Sequence, residues 1–242
     1  SKSTLSKANE NRNWKIYQDF AYLLIAEAKR LYAGESELEI ELKQNVFAID
    51  ATTIDLCLNI FPWATFRTTK SAIKLHTQLD LKNAIPAFIA ITPASVHEVN
   101  MLDSIPFETE SFYIMDRGYI DFSRLYQIHL AKAYFVIRAK DNMKFKRIYS
   151  HSKNKTTGVK CDQTIRLKNY YASKDYPEKL RRIKFMDEER GKQFVFLTNN
   201  FHLKATDIAQ LYKHRWKIEN FFKWIKQHLK VKSFWGHSAN AV

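Results

Sequence analysis

An α/β fold, a mixed sheet flanked by helices, follows from three features of this 242-residue sequence. Strand-like runs at 46–51, 73–81 and 87–92 come in succession, as an antiparallel-capable set does. Two more, at 112–115 and 134–139, then alternate with helix-like segments, the order that places helices on the faces of a sheet. Late in the chain a stretch of about 211–230 repeats apolar residues at helical spacing.

Residues 12–32 (RNWKIYQDFAYLLIAEAKRLY) carry apolar positions at helical spacing with no breaker, and Gly34 ends the pattern. After the acidic stretch Glu35 to Glu41, the short run Val46 to Ala51 predicts a buried strand with Asp50 at its tail. The strands at 73–81 and 87–92 follow, then a short helix near 96–104. The strand 112–115 delivers Asp116 at its end. A helix over 122–131 leads to the strand 134–139. From Asp141 to about Lys192 the long apolar runs vanish and short alternating stretches such as Gln163 to Leu167 take over, which predicts a β-rich insertion outside the main sheet. Phe194 to Thr198 returns to core-like strand, and a helical stretch from Ala205 leads into 211–230. The divisions are therefore an N-terminal helical segment (1–45), a first core part (46–140), a basic insertion (141–192) and a second core part with the late helix (193–242).

A chain of this length can bury a substantial core. Apolar residues make up 45% of it, with five glycines and five prolines, and no run reaches the ~18 residues needed to span a bilayer. No secretory leader is visible, the start at Ser1 suggests a trimmed chain, and Cys57 and Cys161 lack metal-ligand spacing. A cytoplasmic protein with reduced thiols is expected. The net charge of +14 is unevenly placed: residues 1–140 hold 16 basic and 16 acidic side chains, 141–192 hold 15 and 7, and 201–242 hold 8 and 2. A neutral body with two basic segments suits a polyanion, since phosphate neutralisation releases counterions. A polyanion such as nucleic acid is the expected partner.

On one continuous helix Tyr212, Arg215, Glu219 and Lys226 fall within roughly 60° of one another, beside an apolar stripe of Leu211, Ile218, Phe222, Ile225 and Leu229. One carboxylate between two cations fits the wall of a metal and phosphate site. It equally fits a solvated face with i, i+4 ion pairs. Asp50 (in FAIDATTIDL) and Asp116 (in SFYIMDRGYIDF) each follow an apolar run, which places each carboxylate at the rim of a sheet. A single such Asp is usually a turn former or helix cap. Two of them with Glu219 make a set of hard oxygen ligands suited to Mg²⁺ or Mn²⁺.

Tyr212, Arg215, Glu219 and Lys226 match the Y-x2-R-x3-E-x6-K signature, and the chain resembles the insertion-sequence-4 type DDE transposases over roughly residues 46–240. Asp50-Ala51-Thr52 and the D-R-G-Y of Asp116 to Tyr119 look like that family's first and second catalytic blocks. The resemblance implies a ribonuclease-H-like core, a mixed five-stranded sheet with a β-rich insertion before the Glu helix. It implies that Asp50, Asp116 and Glu219 are catalytic and hold two Mg²⁺ or Mn²⁺ ions, Asp50 bridging both, for cleavage and strand transfer at transposon ends. Arg215 and Lys226 would grip phosphates and Tyr212 would contact the DNA backbone, although Tyr212 also reads as a core-edge aromatic. A homodimer in a synaptic complex with double-stranded DNA, transposon ends and target, in a bacterial, nucleoid-associated setting, belongs to the same implication. So do a base flipped onto an insertion aromatic, with Tyr170, Tyr171 and Tyr176 as candidates, and an N-terminal DNA-binding domain and C-terminal helices beyond this chain.

Asp55 and Asp121 read as surface or capping groups, His76 and His97 as structural histidines, and Asn199 and Asn200 as a turn. Two other functions share these residues: a DNA-binding or domesticated module on the same fold without cleavage, and a ribonuclease-H-like nuclease without strand transfer.

Overall fold

The structure, a computed structural model, describes residues 1–152, 157–229, 234 and 236–242. Its elements are α1 (Lys2–Asn11), α2 (Lys15–Leu31), β1 (Val46–Leu56), β2 (Thr65–Arg67), β3 (Lys70–Asp80), β4 (Pro86–Pro93), β5 (Phe112–Met115), α3 (Phe122–Leu130), β6 (Tyr134–Arg138), β7 (Phe145–Ser150), β8 (Val159–Leu167), α4 (Tyr170–Asp175), β9 (Leu180–Asp187), β10 (Lys192–Thr198), α5 (Ala205–Lys213) and α6 (Trp216–His228). The architecture is α/β with a large mixed sheet and helices. The chain divides into two compact units, one of Ser1–Glu37, Asp50–Glu98 and Lys217–Val242, the other of Leu38–Ile49 and Val99–Trp216.

In the second unit β1, β5 and β6 run parallel. Val46 to Ile49 pair with Phe112 to Met115, which pair in turn with Tyr134 to Ile137. Apart from Tyr134 these residues are at most 2% exposed. Such burial on both faces explains why the strands read as short unbroken apolar runs rather than as alternation. The cover includes Leu125 and Ile128 of α3 and Ile208 and Leu211 of α5, all fully buried. Asp121 caps α3 by accepting the Arg124 N–H at 3.0 Å, which fixes where that helix begins.

Beyond β6 the ladder turns antiparallel in the order β10, β9, β8, β7. The basic segment therefore extends the sheet from β10 outward, contrary to the expectation of an insertion outside it. An antiparallel sheet can leave much of its surface in water, so a polar composition is no bar to membership. Ile165, Leu167, Leu180 and Ile183 supply its buried side chains. Arg181 and Asp162, 6% and 5% exposed, form a two-pronged pair with N···O distances of 2.8 and 2.7 Å.

In the first unit β3 pairs antiparallel with β4, from Ile73 opposite Pro93 to Leu79 opposite Pro86, and with β2. Ile54, Ala64 and Ile73 form a small core extended by Leu56, Leu75 and Val242. Lys217 Nζ donates to Glu37 Oε2 at 2.8 Å and to the Leu81 carbonyl at 3.1 Å, fastening the start of α6. Ile218, Phe222 and Ile225 are buried as their spacing predicts, whereas Leu229, expected in the same stripe, is 50% exposed. The 12–32 helix is present as α2, but none of its residues is buried.

The helix expected over 211–230 is two helices. Arg215 N–H bonds the Tyr212 carbonyl at 3.2 Å, an i to i−3 contact that tightens the chain into a turn at 214–215 before α6 begins. Tyr212 thus lies in α5, Arg215 in the turn, and Glu219 and Lys226 in α6.

Candidate functional site

Asp116 stands immediately after Met115, the last paired residue of β5, and its backbone turns into a short 3₁₀ segment, Arg117–Tyr119. Its Oδ1 accepts the Gly118 N–H at 2.7 Å. A Cβ built at Gly118 would lie 2.9 Å from that same oxygen, so glycine leaves the carboxylate its position. Among the described residues, no hydrogen bond is made by Oδ2.

Tyr212 lies within electrostatic reach of Asp116, Arg138 and Arg215. Burial raises its hydroxyl pKa above the ordinary phenol value, with Asp116 pushing the same way and Arg215 and Arg138 pulling it back. The hydroxyl stays protonated at neutral pH. Its ring packs on Phe196 at 4.8 Å between centroids, and the Arg215 guanidinium lies 5.8 Å from the ring centroid. The ring packs as the core-edge reading expects, and charged groups lie within electrostatic reach of the hydroxyl. Arg138, Phe194, Phe196, Tyr212, Arg215 and Trp216 help line an open groove of about 920 Å³ in this unit.

Arg138 was not singled out by the sequence. Its signal is positional: Met115 pairs with Ile137 in the parallel β5–β6 ladder, so Arg138 is the next residue of β6 just as Asp116 is the next residue after β5.

Asp50 and Glu219 belong to the other unit. Asp50 is not at the tail of its strand, because β1 continues to Leu56; it is the first residue after the β1–β5 ladder, which ends at Ile49. Its Oδ1 accepts the Ala51 N–H at 2.8 Å. Glu219, half-buried, sits in the first turn of α6, and Lys226, exposed, in its last. Among the described residues no group of three His, Cys, Asp or Glu side chains is gathered as it would be round a metal ion.

Asp55 is exposed, and Asp121 is the cap described above. His76 is 2% exposed, with Nε2 2.8 Å from Thr92 Oγ1; burial, then the nearby Lys74 charge, lower its pKa to about 4. His97 is exposed. Tyr176 is removed from the base-stacking candidates, being fully buried against Tyr126, His129 and Phe135, while Tyr170 and Tyr171 are 75% and 78% exposed. Asn199 is more than a turn residue: its side chain accepts from Phe135 N–H at 2.9 Å and donates to the Ala133 carbonyl at 2.8 Å, tying β6 in place. Asn200 does form a turn, accepting from His202 and Leu203 N–H.

Among the described residues no helix is long and apolar enough to cross a membrane. A protein of Sinorhizobium fredii (strain NBRC 101917 / NGR234), provisionally named as transposase y4zB, is 34% identical over 242 residues, covering 98% of this chain and 65% of that protein. A Geobacillus stearothermophilus protein, provisionally named as the transposase of insertion sequence element IS5377, is 26% identical, covering 99% and 62%. A third, of Synechocystis sp. (strain ATCC 27184 / PCC 6803 / Kazusa), provisionally named as the transposase of element IS4SA, is 24% identical, covering 99% and 66%. The chain thus spans 62% to 66% of the length of these relatives. Residues 41–242 match the family described as the transposase DDE domain, and with that match over most of its length the chain belongs to the DDE transposase-domain family.

Proposed function

We propose that this chain is the catalytic domain of a DNA transposase that cleaves transposon ends and transfers the strand to target DNA by phosphoryl transfer. The observation that carries the reading is the juxtaposition of the fixed Asp116 carboxylate with Tyr212, Arg138 and Arg215 at one rim of the second unit. A carboxylate beside cations and a protonated phenol on rigid strand ends suits a phosphodiester, whose oxygens need donors while the reacting atoms need an acid ligand. Strand order supports a ribonuclease-H-like core, with β3 beside β1 and the parallel strands β1, β5 and β6 in sequence.

Asp50, Asp116 and Glu219 are the proposed acids. As hard oxygen donors they fit Mg²⁺ or Mn²⁺, and the space that Gly118 leaves at Asp116 Oδ1 favours a carboxylate held ready for a ligand. Such ions, two per site in this reading, would supply positive charge against the negative charge that develops in phosphoryl transfer. Arg215 offers a planar fork to a phosphate and Lys226 a point charge. The Tyr212 hydroxyl, neutral at physiological pH as a phenol is, would donate to a backbone oxygen. Two copies of the protein would hold the two ends in one complex.

Asp50→Ala, Asp116→Ala and Glu219→Ala should each abolish Mg²⁺- or Mn²⁺-dependent DNA cleavage by the full-length protein while leaving DNA binding largely intact. Asp55→Ala, an exposed carboxylate outside the set, is the control. Cleavage surviving the loss of any of the three acids, or lost equally in the control, would sink the assignment. Analysis of joined products separates a transposase from a nuclease on the same fold.

A further inference from the structure

We propose that Arg138 is a phosphate-holding residue of this site, its guanidinium receiving the DNA backbone phosphate that lies against Asp116. The inference rests on the DNA reading above and adds a residue outside the Tyr-Arg-Glu-Lys signature.

Two observations place Arg138. It follows Ile137, whose partner Met115 precedes Asp116, and its backbone is held on the other side by pairing with Phe196 of β10. Its guanidinium lies over the Phe194 ring, 5.4 Å from the centroid, in the groove that Tyr212 and Arg215 also line. The ladder fixes where this side chain starts, and the Phe194 ring backs its charged end.

What points to a ligand is the missing counter-charge. Arg138 is half-buried, yet among the described residues no carboxylate or hydrogen-bond acceptor pairs with its guanidinium. Withdrawing a cation from water costs free energy unless an anion compensates. Of the four carboxylates on the same groove, Glu39 is engaged with Gln210, Asp187 with Arg190 and Glu189 with Lys213, and Glu188 forms no ion pair with Arg138. An unpaired guanidinium with an aromatic backing, beside an acid and a phenol, matches a phosphodiester in charge and in its demand for a planar two-donor fork. A purely structural arginine in this sheet would instead resemble Arg181, which is buried and bonded to a carboxylate and two carbonyls.

The test measures binding of a fluorescein-labelled DNA duplex by anisotropy over a range of salt, in EDTA, together with thermal unfolding of the protein alone. Arg138→Met should weaken binding about tenfold, as loss of a charged hydrogen bond does, and flatten the log–log salt slope by about 0.9, one phosphate contact. Arg138→Lys should keep the slope, since it keeps the charge. Arg30→Ala, an exposed cation of α2 paired with Glu27, should leave it unchanged. The melting temperature of Arg138→Met should not fall, because an uncompensated half-buried charge has been removed. An unchanged slope in Arg138→Met, or a slope equally reduced in Arg30→Ala, overturns the assignment. So does a lower melting temperature that accounts for the lost affinity. If Arg138→Met matches a wild type that binds with a steep slope, only Arg138 is dismissed; if the wild type shows no salt-dependent binding, the DNA reading falls with it.

Discussion

Gly118 decides where the Asp116 carboxylate can point. A methyl group there would meet Oδ1 at 2.9 Å, and the atom it meets is the end of a short side chain rather than backbone. The carboxylate can therefore swing aside at small cost to the fold. Gly118→Ala should leave the melting temperature within a few degrees of wild type while cutting the cleavage rate by tenfold or more, about 1.4 kcal/mol of transition-state stabilisation. A loss of melting temperature in proportion to the loss of rate would show that the turn, rather than the carboxylate, is what the glycine serves. The Asp-Arg-Gly-Tyr run marks this turn in the sequence. Arg138 is not marked that way, because its relation to Asp116 depends on the β5–β6 register, which pairs residues that lie far apart along the chain.

The element that carries Tyr212 is anchored from the β-rich segment. Arg181 of β9 holds Asp162 of β8 and also donates to the Leu203 carbonyl at 2.6 Å, just before α5 begins. One buried side chain thus joins two strands to the approach of the helix that bears the phenol. Asp162→Ala would strand that guanidinium at 6% exposure, and breaking such a pair from one side costs about 3 to 5 kcal/mol, measurable by urea unfolding. Replacing both partners, Arg181→Met with Asp162→Leu, should recover most of the loss, and failure to do so would mean that the carbonyl bonds matter more than the charge pair. The sequence displayed α5 and α6 as one helix because nothing at His214 or Arg215 disfavours helix; no Gly or Pro interrupts the apolar spacing. The turn there is set by tertiary structure, which single-sequence periodicity does not register. Similarly, the segment 141–192 read as a separate insertion because it lacks the apolar runs of a strand buried on both faces, a criterion that does not apply to antiparallel strands.

For the molecule as a whole, charge distribution was the most legible property, since it is fixed by composition and survives any error in element boundaries. Residues 1–140 are neutral, and the excess that makes up the +14 lies beyond them. Part of it is carried on β7, where Lys146 and Arg147 are exposed. In the DNA reading proposed above, exposed lysine and arginine side chains of this kind would contact phosphates, which carry no sequence information. DNA affinity should accordingly fall steeply with salt, with a log–log slope of about −0.9 for each phosphate neutralised on duplex DNA. Reversing two of these charges, Lys146→Glu with Arg147→Glu, should weaken binding by a similar factor on duplexes of unrelated sequence and make the slope shallower by about 2, one contact for each cation removed. A loss confined to one DNA sequence would show that β7 reads bases, and an unchanged slope would show that the basic strand lies off the DNA path.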